Sequence, residues 1–420
     1  MSSSINIIST KLSQNIYAQT PSPQAFSLTN SLLQENHDTL HIFFRDLNGH
    51  SHLVHNLLIR LAAYDDDLPT QRAMPPFDPA IVDKLSDKGF FESQITKIDQ
   101  YTSFLRFFEK EIVRRGSWKD AVNEYVFSRS AIAEKMLSLM FDGAYHPIIH
   151  LGLGVEFEQP GIIAEALAQA AAHASFGTDY FFFEAEEQAT EQKGLSQSLV
   201  NLLQRTRDTP KLVQAGRAQG LIGTMKMNNS ILVDAAEEIL DIVSLFKVTE
   251  ENLERKTAEM LNLCAYTAGA AQRAKDSYQP KIDFFFMHCV TSSIFFSVLI
   301  RQGWIAGRDK YAVCGVPKLD VELVKGYKGE KTGNMSWEEL FKAVSEQHDD
   351  GHVAKFVRAL KNGEKACRRF EYGGDFMVKG DMWLPIARMA YETTIETSMQ
   401  NRWVLMAGMD GAWKEFKGNT

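Results

Sequence analysis

Cysteine is scarce in this chain. Four residues in 420 (Cys264, Cys289, Cys314, Cys367) are widely dispersed and form no CxxC pair. A disulfide framework is therefore excluded, and a reducing, cytoplasmic compartment is the expectation. Basic excess is also missing: 45 Lys and Arg stand against 53 Asp and Glu, a net charge of −8. That argues against nucleic-acid binding, and runs such as Arg114-Arg115 and Lys365 to Arg369 read as solvated helix faces. No apolar run is long enough for a membrane span. The longest, around Phe284 to Ile300, is interrupted by His288 and a Ser/Thr cluster. The first residues lack the basic and apolar regions of a secretory signal, so none is expected.

Several catalytic motifs are absent too. Gly152-Leu153-Gly154 lacks the third glycine of a dinucleotide fingerprint, and GxxxxGK[ST], GxSxG and HExxH do not occur. Flavin, nicotinamide, ATP and serine-hydrolase chemistry gain no support.

What the chain does have is helical periodicity and enough apolar residues, 45%, for a sizeable core. Apolar residues recur at i, i+3, i+4 and i+7 in Phe104 to Val113, Lys119 to Phe127, Ala131 to Phe141, Ile162 to Ala174, Ser196 to Arg205 and Ser230 to Phe246. Glu251 to Lys275 and Asp381 to Asn401 extend the pattern. Alternating strands are few, with Tyr311 to Val316 the best candidate. The expected fold is mainly α: one large multi-helical domain over residues 26–420, preceded by a loose arm at 1–25 where Pro21 and Pro23 fall.

Most of the 11 histidines are clustered. His146 and His150 lie four apart with Pro147 placed to start a helix, so both imidazoles share one face. His50, His52 and His55 open another apolar helix, with His52 and His55 at i, i+3. His288 is embedded in Phe284 to Ser293, and His352 and Lys355 begin a helix after Gly351. Each group has a plainer explanation: a hydrogen-bonded pair, a helix cap, a core histidine. His37, His41 and His173 show no partner pattern, and Glu156 and Glu165 read as helix-face charges. Several buried imidazoles without partners would each cost about 1–3 kcal/mol, whereas a shared metal satisfies them together. Imidazole-rich sites suit iron, zinc, copper or nickel. The Phe284 to Phe286 run next to His288 would wall a flat aromatic substrate.

The blocks Ser51 to His55, Tyr145 to Phe157, Phe286 to Ser292 and Asp350 to Leu360 resemble, in order, those of the questin oxidase-like proteins. The resemblance implies a fungal tailoring enzyme that oxidatively cleaves anthraquinones and related aromatic polyketides, a group once described as Baeyer–Villiger oxidases. One type in that group is similar to a non-haem iron dioxygenase whose metal is held by four histidines and a carboxylated lysine. Transferred to this chain, the Fe(II) ligands are His55, His146, His150, His288 and Lys355, with Lys379 the rival lysine. His52 and His352 become reserves or proton carriers. Dioxygen is the implied co-substrate and carbon dioxide the source of the carbamate. Thr291, one turn beyond His288, is expected to hydrogen-bond bound oxygen or a ligand. The expected partner is a small aromatic substrate, with no nucleic acid and no membrane. A two-metal hydrolase and a non-catalytic helical binding protein stay open as alternatives.

Overall fold

Helices begin where the sequence places Ser, Asp and Pro. A computed structural model describes residues 3–8, 22–44, 49–60, 72–175, 179–192, 194, 196–218, 227–272, 278–305, 319–347, 349, 351–395, 397–398 and 401–416. The Ser22 hydroxyl caps the Pro23–Thr39 helix, Asp78 and Asp87 cap Pro79–Lys84 and Lys88–Gln94, and Ser130 caps Ala131–Leu139. Each side chain satisfies an N–H that the first helical turn leaves without a partner. The chain forms two units, residues 1–175 with 298–309 and residues 176–297 with 310–420.

The first unit is built around Tyr101–Arg115, His146–Glu156 and Pro160–Ala172. Its core holds Phe91, Phe104, Phe107, Phe108, Leu151, Val155, Ile163 and Leu167. Close approach of the last two helices depends on a glycine. A Cβ at Gly154 would sit 2.7 Å from Ile163 Cγ1. Residues 3–8, expected within a loose arm, are tied down instead. The N–H groups of Ser3, Ile5, Asn6 and Ile7 donate to Glu109, Gln34, Gln159 and Asn30, each at 2.8 Å, and Ile5 and Ile7 are buried. Residues 9–21 lie outside the described residues.

In the second unit Leu253–Ala270, His352–Cys367 and Trp383–Glu392 pack together around Phe356, Val357, Leu360, Trp383 and Ile386. Gly363 leaves room for the Trp383 ring, which a Cβ would meet at 2.5 Å. A Ser336–Glu339 capping box starts Trp337–Glu346. The helix expected over Asp381 to Asn401 stops at Glu392. There Thr393 and Thr394 turn their hydroxyls back onto the carbonyls of Ala390 and Tyr391, at 2.8 and 2.7 Å. A β-branched run that bonds its own backbone competes with helix.

The protein is mainly α. Among the described residues, strand structure amounts to one antiparallel pair, Phe43–Phe44 with Gly49–His50, and two isolated bridges. The Tyr311 to Val316 candidate lies outside the described residues. No described helix is long and apolar enough to cross a membrane. A metal-hydrolase barrel would need eight parallel strands, and the described residues supply nothing of the kind.

Candidate metal centre

In the first unit, His146 opens its helix after three consecutive residues with positive φ: Gly143 (58°), Ala144 (53°) and Tyr145 (65°). Two of these are not glycine, and each costs roughly 1–2 kcal/mol of backbone strain. The turn folds the Gly143 carbonyl back to within 2.6 Å of His146 Nδ1. With Nδ1–H donated there, the lone pair of His146 sits on Nε2. That nitrogen faces His52 Nε2 at 2.9 Å.

One turn along the same helix, His150 is held from both sides. Its Nδ1 lies 3.1 Å from His55 Nε2, and its Nε2 donates to Glu165 Oε2 at 2.7 Å. Glu165 and His37 meet at 2.6 Å (Oε1 to Nδ1). His37 Nε2 reaches Glu109 at 2.9 Å, and Arg106 pairs with Glu109 at 2.8 Å. Burial alone would raise the Glu165 carboxyl, but hydrogen bonds and charge from His150 and His37 outweigh it and hold the group at about 2. Burial alone would lower His37. Hydrogen bonds and charge from Glu109 and Glu165 prevail and raise it to about 9. His37 is thus a buried cation between two carboxylates.

His50 and His173 add a parallel imidazole stack, His50 lying 4.3 Å from His146 and 5.1 Å from His173. Gln169 Nε2 donates to His50 Nδ1 at 2.8 Å, and His173 Nδ1 to the Ala174 carbonyl at 2.7 Å.

The second unit repeats the device. His288 Nδ1 donates to the Phe284 carbonyl at 2.8 Å, and its Nε2 faces His352 Nε2 at 3.2 Å. Gly351, at φ 79°, sets the start of the His352 helix. The rings of Phe284 and Trp403 lie 5.6 and 6.2 Å from His352. Lys355, 4% exposed, follows His352 by three residues, nearly one helical turn. The rival Lys379 is exposed and donates to the Gly373 carbonyl at 3.1 Å. Thr291 is buried, and its hydroxyl donates to the His288 carbonyl at 3.1 Å, so lone pairs rather than a proton remain on offer.

Metal–nitrogen bonds of about 2.1 Å at 90–109° separate adjacent ligand nitrogens by roughly 2.9–3.4 Å. All three facing pairs fall in that range. His146 and His288 also show the second feature of a ligand: the far ring nitrogen is committed to a carbonyl, which fixes the tautomer. Within each unit the expected residues therefore meet in pairs: His52 with His146, His55 with His150, and His288 with His352. His150 differs in having Glu165 on its outer nitrogen.

Reasoning from the sequence missed Glu165, Glu109, His37, His50, His173 and Gln169. Glu165 is no helix-face charge; it is 1% exposed between two histidines. A signal was present, because Glu165 and Gln169 are the polar residues, four apart, of an otherwise apolar Pro160–Ala172 helix.

The family model for questin oxidase-like proteins matches residues 56–360. The Baeyer-Villiger oxidase mdpL of Emericella nidulans is 73% identical, covering 99% of each chain. The Baeyer-Villiger oxidase ptaJ of Pestalotiopsis fici is 43% identical over 91% of each chain. The questin oxidase of Aspergillus terreus is 38% identical over 93% of this chain and 92% of its own.

Proposed function

This chain belongs to the questin oxidase-like family and is an oxidoreductase, and from that premise we propose that it cleaves a ring C–C bond of an anthraquinone-type polyketide with Fe(II) and dioxygen. The carrying observation is the facing imidazole pairs, each at the spacing of adjacent metal ligands. The names of the relatives support the oxidation, and that of the Aspergillus terreus relative supports a quinone substrate.

In the first unit His52, His146, His55 and His150 offer nitrogens to a metal. In the second, His288 and His352 do so. Iron, when bound, supplies activation of dioxygen next to the substrate carbonyl. The residues of the chain do the rest. The Gly143 and Phe284 carbonyls hold the tautomers of His146 and His288. Phe284 and Trp403 set aromatic rings beside the His288–His352 pair, with Phe356 packed against Trp403, surfaces of the kind a flat ring would stack on. Trp403 Nε1 is buried with no hydrogen-bond partner among the described residues, so its N–H can donate to a quinone or phenolate oxygen.

Burial supports Lys355 over Lys379 as the carboxylated residue. Adding carbon dioxide requires a neutral amine, which desolvation favours and exposure does not.

The test is iron content and hydroxyanthraquinone turnover of anaerobically purified protein, before and after treatment with an iron-specific chelator. Full turnover by the stripped protein would overturn the metal reading. The same imidazole spacing also fits N–H···N hydrogen bonds, so iron retained by both His146→Ala and His288→Ala would favour a structural role for the pairs.

A further inference from the structure

In the second unit, Tyr391, Thr394, Ile395, Thr397 and Arg402, with Glu346 and Gln347 at the end of Trp337–Glu346, line a cavity of about 470 Å³. Arg402 is one of its lining residues, only 8% exposed, and its Nε and Nη1 are buried with no hydrogen-bond partner among the described residues. A guanidinium stays charged at every working pH, and a buried charge without a counter-ion is among the costliest groups a fold can keep.

The backbone that carries Arg402 is held on both sides. The Asn401 carbonyl accepts from Lys281 Nζ at 2.8 Å. Trp403 packs against Phe356, and Val404 bridges to Ile282 and Phe284 at 3.1 and 2.8 Å. The Cα from which the Arg402 side chain springs is therefore fixed before any ligand arrives.

The side chains of Gln347, Thr394 and Thr397 along the cavity are already occupied. Gln347 Nε2 donates to the Thr394 carbonyl and hydroxyl, both at 3.2 Å. The hydroxyls of Thr394 and Thr397 donate to the carbonyls of Tyr391 and Ile395. Glu346 lines the same cavity from an exposed position and forms no ion pair with Arg402 among the described residues. One cation and one nearby carboxylate favour a monoanion over a dianion. The planar guanidinium fork suits a carboxylate, and the Tyr391 side chain offers an aromatic wall.

We propose that this cavity binds a small aromatic carboxylate, its anionic group on Arg402 and its ring beside Tyr391. The site is separate from the metal reading and does not depend on it.

Benzoate is the probe, titrated calorimetrically into the full-chain protein at constant ionic strength, with inorganic phosphate as the comparison. Saturable benzoate binding is expected, weakened at least tenfold in R402Q and tightened several-fold in E346Q, where the like charge is gone. Phosphate should bind more weakly than benzoate. Absence of benzoate binding, unchanged affinity in a folded R402Q, or tighter binding of phosphate would each overturn the proposal. Should R402Q fail to fold, E346Q decides, because unchanged affinity there refutes an anion held in this cavity.

Discussion

Glu165 takes a hydrogen bond from His150 at 2.7 Å from within a helix whose other residues near it are almost all apolar. That one carboxylate fixes which nitrogen of His150 carries the proton and turns Nδ1 toward His55. It also holds His37 as a cation on its other oxygen. The pair therefore links a buried charge network to the histidines proposed to hold iron.

Glu165→Gln keeps the volume but removes the charge and the enforced tautomer. Iron affinity or turnover should fall about 10–100-fold, the usual effect of losing a carboxylate behind a ligand histidine. Iron binding titrated alongside circular dichroism separates this from simple unfolding. Wild-type affinity in the folded variant would remove Glu165 from the site.

His37 makes alkaline stability the sensitive side. Its pKa is raised from 6.5 to about 9, so its contribution is complete below pH 6.5 and is lost as pH rises through 9. The size is at most about 3 kcal/mol between those limits. Glu165, held at about 2, acts on the other side: its contribution is complete above about pH 4.5 and disappears as pH falls through 2. Urea unfolding between pH 6 and 10 should show the alkaline decline, and His37→Gln should flatten it.

Lys355→Ala should lose iron while Lys379→Ala keeps it. Metal analysis after anaerobic purification reads the difference directly. The reverse pattern would transfer the proposed carbamate to Lys379.

Gly143→Ala tests the strained turn before His146. The new Cβ would lie 2.3 Å from His173 Nε2 and 2.5 Å from His50 Nε2, at a φ of 58°. Overpacking together with a left-handed backbone should destabilise by about 2–4 kcal/mol, visible as a lower midpoint in denaturant. A change below about 0.5 kcal/mol, the range of ordinary surface substitutions, would mean the imidazole stack yields easily.

The sequence alone determined the helical character, because the 3.6-residue periodicity of segments such as Phe104 to Val113 is local and needs no partner to be read. It also determined that His146 and His150 share a face, since helix geometry fixes that once Pro147 starts the turn. The length of the Trp383–Glu392 helix was less legible, because a Thr-Thr-Ile run ended a pattern that hydrophobic spacing would have continued.

Tertiary structure decided which nitrogens meet. His37, far before the His150 helix in the chain, and Glu165, 15 residues after His150, become neighbours only when their helices pack. Nothing within a single helix predicts a salt bridge of sequence separation 128. Whether Glu165 is a solvated face charge or a buried counter-ion depends on what covers its helix, and an Ala-rich stretch such as Pro160–Ala172 is apolar enough to be covered on every side.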